Sequence, residues 1–227
     1  MKLLRTNTSM KFFLFVSLAV ILVNIPILGN YVGVINTLIH ESGHALIALI
    51  GGDVQKIGLF VNTEGVTYTT HTSWFGGFFT GIAGYVFSSF FAFICFWLIG
   101  KRKYKLLMFI LLGFIFMNLV FWVRNFYGIF WLITFGAGFL LMVWKAPQNF
   151  NQSVLLLIAA VLLVESLTSS FEILLLSFIQ PASAGDATGL AHSTIFIPAQ
   201  VWGIFFMLQS LWFCWFGLKK GIFRLER

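Results

Sequence analysis

Seven apolar runs, each about 18 to 27 residues long, alternate with short polar breaks along the chain. They are Phe12 to Gly29, Tyr31 to Ile50, Trp74 to Ile99, Leu106 to Val123, Phe126 to Trp144, Ser153 to Ile179 and Ile195 to Leu218. At a helical rise of about 1.5 Å per residue, each is long enough to cross a hydrocarbon core of about 30 Å. The pattern predicts an all-α polytopic membrane protein with about seven (six to seven) transmembrane helices, residues 1–227 forming one integral-membrane domain. One break differs from the rest. Gly51-Gly52 ends the second run, and Lys56 to Val61 and Val66 to His71 then flank Asn62-Thr63-Glu64-Gly65. β-Branched and aromatic residues around a Gly-containing turn predict a small β-hairpin. An open sheet edge is not tolerated against lipid, which places the hairpin at the interface or in a protein-lined cavity. It reads either as a surface loop with strand character or as an edge strand that pairs with an extended substrate.

Composition strengthens the membrane reading. The chain is 59% hydrophobic and 9% charged, against about 25% charged in a soluble domain, so it lacks the polar surface to cover itself in water. Its partner is the lipid bilayer. The net charge of +7 does not indicate a nucleic-acid partner, because most Lys and Arg lie in short loops or the tail, where they act as topology signals. Counted over seven spans, nine basic residues from Lys101 to Arg227 share one side. Five (Lys2, Arg5, Lys11, Lys56 and Arg124) share the other, which puts the first side in the cytoplasm. The basic stretch Met1 to Lys11 precedes an apolar run as in a signal peptide, but Asn24-Ile25-Pro26-Ile27 follows in place of a small-residue cleavage site. An uncleaved first span is expected. Cys95 and Cys214 fall inside apolar runs and read as buried free thiols.

The candidate chemistry is concentrated in His40-Glu41-Ser42-Gly43-His44, inside the second run. Positions i and i+4 share a helix face, so His40 and His44 can aim two imidazoles at one metal ion while Glu41 reaches a water beside it. With four His and five Glu in 227 residues, random placement produces roughly 0.001 to 0.002 such patterns per chain. An intramembrane ionisable cluster is also costly unless it has a function. A catalytic zinc needs three protein ligands and one open position. Asp186 is the candidate third ligand. It lies in the polar break before the last run, and four crossings after Ile50 return it to the side of the His residues. The competing role for Asp186 is a helix cap. Glu165 and Glu172, seven apart on one helix face, read as a proton or water path or as a protonated pair facing the bundle interior. His71 reads as a substrate contact or a solvated interfacial residue, and His192 as structural. Gly76, Gly77, Gly81 and Gly84 permit close helix contact.

His40 to Leu46, continuing to Gly51-Gly52 and the hairpin, resembles the site-2 protease family of intramembrane zinc metalloproteases, and most of all its compact bacterial branch without PDZ domains. The stretch from Gly76-Gly77 through Gly81, Gly84 and Tyr85 resembles that branch's small-residue span. Asp186-Ala187 through Leu190-Ala191 to Pro198 and Trp202 resembles its second motif. The Asn-Pro and Leu-Asp-Gly sequence of better-known members is absent, leaving Asp186 alone. The resemblance implies a zinc metalloendopeptidase that hydrolyses peptide bonds of membrane-associated or transmembrane substrates. His40, His44 and Asp186 would hold Zn2+, and Glu41 would serve as general base. Leu59, Tyr68 and His71 are the candidate substrate contacts. A bacterial inner-membrane location is also implied, with the site open to the cytoplasm, opposite to the side the charge count selects. Rival readings are a membrane zinc hydrolase acting on a lipid or small amide, and a non-catalytic zinc-stabilised scaffold or helix-binding pseudo-protease. A channel or transporter would need charges spread along a path, and the chain has too few.

Overall fold

A computed structural model describes residues 2–221, with side chains from 12 to 219. Every apolar run forms a helix: α1 (Lys2–Val23), α2 (Leu28–Gly51), α3 (Trp74–Gly100), α4 (Tyr104–Met117), α5 (Phe126–Lys145), α6 (Gln148–Ile179) and α8 (Ala199–Gly221). A short helix, α7 (Gly185–Thr194), fills the polar break before α8. Of the basic residues counted for orientation, Arg224 and Arg227 lie outside the described residues, as do the side chains of Lys2, Arg5, Lys11 and Lys220.

The number of spans is at the lower end of the six to seven expected. Five helices are long and apolar enough to cross a membrane, or up to six if α1 and α2 count together, because these two meet at 109°. Pro26 explains the elbow. It has no N–H to continue a helix and disfavours helical geometry at Ile25. Ile27 then takes φ 67°, a conformation that breaks the helical path. Leu28 N–H bonds Pro26 O at 2.7 Å and Tyr31 N–H bonds Ile27 O at 2.9 Å, restarting the chain as α2.

Lipid provides no hydrophobic drive between helices, so close packing and polar contacts hold a membrane bundle together. Ser210 on α8 stands 2.7 Å from Ser89 of α3 and 2.6 Å from Ser170 of α6, tying three helices at one buried point. Trp131 of α5 donates to Tyr31 O of α2 at 2.6 Å. At the end of α4 the backbone makes a π turn over Asn118–Trp122. The Asn118 amide there donates to Ser42 on α2 at 2.8 Å. The outer faces show Phe109, Phe116, Phe130 and Leu140, as lipid contact requires. Lys101 lies over Trp97 and Lys145 over Trp144, at 4.1 and 5.4 Å, the pairing of aromatic belt and basic anchor found at a membrane interface. Cys95 is buried as expected, whereas Cys214 is only half-buried.

The hairpin forms as predicted, with longer strands. β1 (Gly52–Leu59) pairs antiparallel with β2 (Gly65–His71), in a register running from Gly52 opposite His71 to Leu59 opposite Gly65, with an irregularity between Val54 and Lys56. Its two edges are unlike. On the outer edge of β1, Ile57 bridges Val123, and the Asn125 side chain accepts from Leu59 N–H at 3.1 Å and donates to Leu59 O at 2.6 Å. The outer edge of β2 has no strand partner among the described residues.

Candidate metal centre

His40 and His44 leave α2 one turn apart, their Nε2 atoms 3.0 Å from each other. Asp186, in the first turn of α7, brings Oδ2 to 3.3 Å from His40 Nε2 and 3.2 Å from His44 Nε2. Three ligand atoms thus form a nearly equilateral triangle, the arrangement of groups converging on one small divalent ion. Asp186 Oδ2 is buried and has no hydrogen-bond donor. It does not cap α7 either, since no side chain caps that helix. Burial alone would raise the Asp186 carboxyl, but the facing His44 and His40 rings more than offset this and hold it well below the usual carboxylate range. Asp186 is therefore ionised at neutral pH, the state a metal ligand needs.

The His44 tautomer is fixed by its other nitrogen. Nδ1 lies 2.7 Å from the carbonyl oxygen of Thr80 on α3. A carbonyl only accepts, so Nδ1 carries a hydrogen; a metal at the triangle would take the place of any proton on Nε2 and meet its lone pair. The His40 ring stands edge-on to Tyr85, 4.6 Å between centroids. Gly84 lies over the triangle. A Cβ built there would overlap Nε2 of both histidines, so α3 leaves open the space that a metal and its ligands share.

Glu41 is buried beside the triad and tied to the hairpin. Thr67 Oγ1 of β2 donates to Glu41 Oε2 at 2.5 Å. At Gly65 a Cβ would overlap Glu41 Oε1 and stand 2.6 Å from Thr37 Cγ2, so only glycine lets β2 press this closely on the base. Triad, Glu41 and β2 share a cavity of about 1290 Å³ that also reaches α6.

The structure brings together His40, Glu41, His44 and Asp186. His71 lines the same cavity, its Nε2 2.9 Å from Thr69 Oγ1. Tyr68 lies in the open strand with its ring under Lys56 Nζ, 4.8 Å away. Leu59 lies outside that cavity. Its side chain is wholly buried and its backbone N–H and C=O are both bonded to Asn125, so it has no free group to offer a substrate. Glu165 and Glu172 face the cavity, whereas His192 is exposed and lies outside it. Thr67, Gly65, Thr80 and the particular place of Gly84 were not foreseen. The available signal was strand alternation: Gly65, Thr67, Thr69 and His71 are spaced by two and share a face.

A family model described as Peptidase M50B-like matches residues 13–217. It spans both the His-Glu helix and Asp186, between which the chain holds only the hairpin, α3 to α6 and short turns. No curated protein and no solved structure matches the chain.

Proposed function

The chain belongs to the Peptidase M50B-like family, the site-2 protease family, and on that premise we propose that it is an intramembrane zinc metalloprotease. The observation that carries this reading is the His40–His44–Asp186 triangle with Glu41 buried at its side. A tetrahedral zinc with bonds of about 2.0 to 2.2 Å spaces its ligands about 3.3 to 3.6 Å apart. The edges here are 3.0, 3.2 and 3.3 Å. Two imidazoles and one carboxylate suit zinc and not a hard, oxygen-seeking calcium ion. Zinc bound there would polarise a scissile carbonyl and lower the pKa of water toward neutrality.

The remaining steps belong to the chain's own groups. His40 and His44 offer Nε2 lone pairs, and Asp186 adds the one negative charge of the ligand set. Glu41 takes a proton from the attacking water and delivers it to the leaving nitrogen. Thr67, donating to Glu41 Oε2, leaves Oε1 for that exchange. A helical substrate hides its carbonyls in hydrogen bonds and must become extended. The unpartnered edge of β2 offers backbone groups that can hold it so. Tyr68 lies in that strand, and His71 lies where it can contact the substrate. The substrates are membrane-associated or transmembrane proteins, the whole chain acts as one metallopeptidase domain, and its location is the bacterial inner membrane.

The test is cleavage of a single-span test protein, reconstituted with the enzyme in lipid vesicles. Wild type should cut it, and Glu41→Gln should retain the metal and cut nothing. Hydrolysis of lipid or a small amide with the peptide intact would overturn the protease reading, as would equal cleavage by Glu41→Gln.

A further inference from the structure

Five of the chain's seven acidic residues line the cavity: Glu41, Glu64, Glu165, Glu172 and Asp186. Among the described residues no Lys or Arg lines it, although the chain carries fourteen. Asp186 and Glu41 together balance one divalent ion at the triad, which leaves three carboxylates unbalanced. Two of them, Glu165 and Glu172, stand seven apart on α6, about 10.5 Å along the helix axis. Neither carboxylate makes a hydrogen bond or ion pair with a described residue.

The α2 side of the cavity faces them with another acceptor. A Cβ at Gly33 would stand 3.5 Å from the Glu165 carboxyl carbon and Oε1, so Glu165 lies against that turn of α2. Asn36 follows one turn later on the same face, and His40 one turn after that. Asn36 is only 6% exposed, lines the cavity, and its Oδ1 is buried with no donor. Two carboxylates and an amide oxygen thus border one route to the triad, and no Lys or Arg among the described residues is set against them. Seven residues apart on one face of α6, the two present negative charge along about 10.5 Å of the cavity wall.

We propose that Glu165 and Asn36, with Glu172 extending the negative wall toward the triad, form a subsite for a Lys or Arg side chain of the substrate. This rests on the protease reading above and names the substrate class: membrane segments with a basic residue close to the cut. Glu165 is two turns from the level of His40, and an extended chain advances about 3.3 Å per residue. The basic residue therefore lies within about four positions of the scissile bond.

The test is a cleavage profile on a randomised library of apolar peptides in detergent, read by mass spectrometry. Wild type should enrich Lys or Arg about tenfold within four positions of the cut. Glu165→Gln combined with Glu172→Gln should bring that enrichment down to the level of chance, and Glu165→Lys should shift it to Asp and Glu. Cleavage by wild type without basic enrichment overturns the subsite, and so does enrichment that survives the double substitution. Should the double variant fail to fold, the wild-type profile and the isosteric single variant Glu165→Gln decide in the same way. A metal-loaded wild type that cuts no peptide at all overturns the protease reading itself, a result distinct from unselective cleavage.

Discussion

Thr67 Oγ1 of the hairpin lies 2.5 Å from Glu41 Oε2 on α2. One threonine thereby links the strand that can receive a substrate to the carboxylate assigned as base. Thr67→Val keeps the shape and β-branching but removes the donor. Glu41 would then be free to rotate away from the triad. Turnover should fall about tenfold or more, with metal content unchanged, since a misplaced base loses much of the factor that general-base catalysis supplies. The check is kcat on a single-span test protein alongside zinc content of the same preparation.

Gly84→Ala should abolish metal binding while α3 stays helical. Alanine is favoured over glycine in a helix by about 1 kcal/mol, but here the methyl group overlaps Nε2 of both His40 and His44. The matched control is Gly113→Ala, where a Cβ meets nothing within 4 Å. That variant should keep its metal. Zinc stoichiometry and circular dichroism of the two proteins check this.

Asn125→Ala should loosen the hairpin by about 1 to 3 kcal/mol, the cost of leaving buried partners unpaired. It removes both bonds to the Leu59 backbone, at 3.1 and 2.6 Å. Tyr68→Pro acts on the other strand and removes a backbone donor of β2. Cleavage of membrane substrates should weaken in both, with zinc retained. Unfolding in detergent reports the first effect and cleavage rate the second.

Hydrophobic patterning made the helices legible, because each run that could bury or present an apolar surface became one. The His40–Glu41–His44 arrangement was equally legible, since one helix sets its spacing. Elements depending on contacts between distant segments were not. The elbow at Pro26 lies inside the first apolar run, and the sequence there does not show how sharply α1 and α2 bend against each other. α7 occupies a stretch whose Pro181, Gly185 and Gly189 suggested irregular backbone. It is anchored by Thr188, which accepts from Ala184 N–H at 2.8 Å and donates to Pro181 O at 2.7 Å, bonds that composition does not display. Nothing in the hairpin's own sequence shows that Asn125, 66 residues away, bonds the backbone of Leu59.

The central claim is that Asp186 completes a zinc site with His40 and His44, and zinc content per purified chain tests it most directly. Wild type and Glu41→Gln should each hold about one zinc. His40→Ala and His44→Ala should hold none. Asp186→Asn preserves size but removes the ligand's charge, and should lose nearly all zinc; Asp186→Glu keeps the charge, displaced by one methylene, and should retain more than Asn does. Full zinc occupancy in Asp186→Asn, or in both histidine variants, would contradict the account.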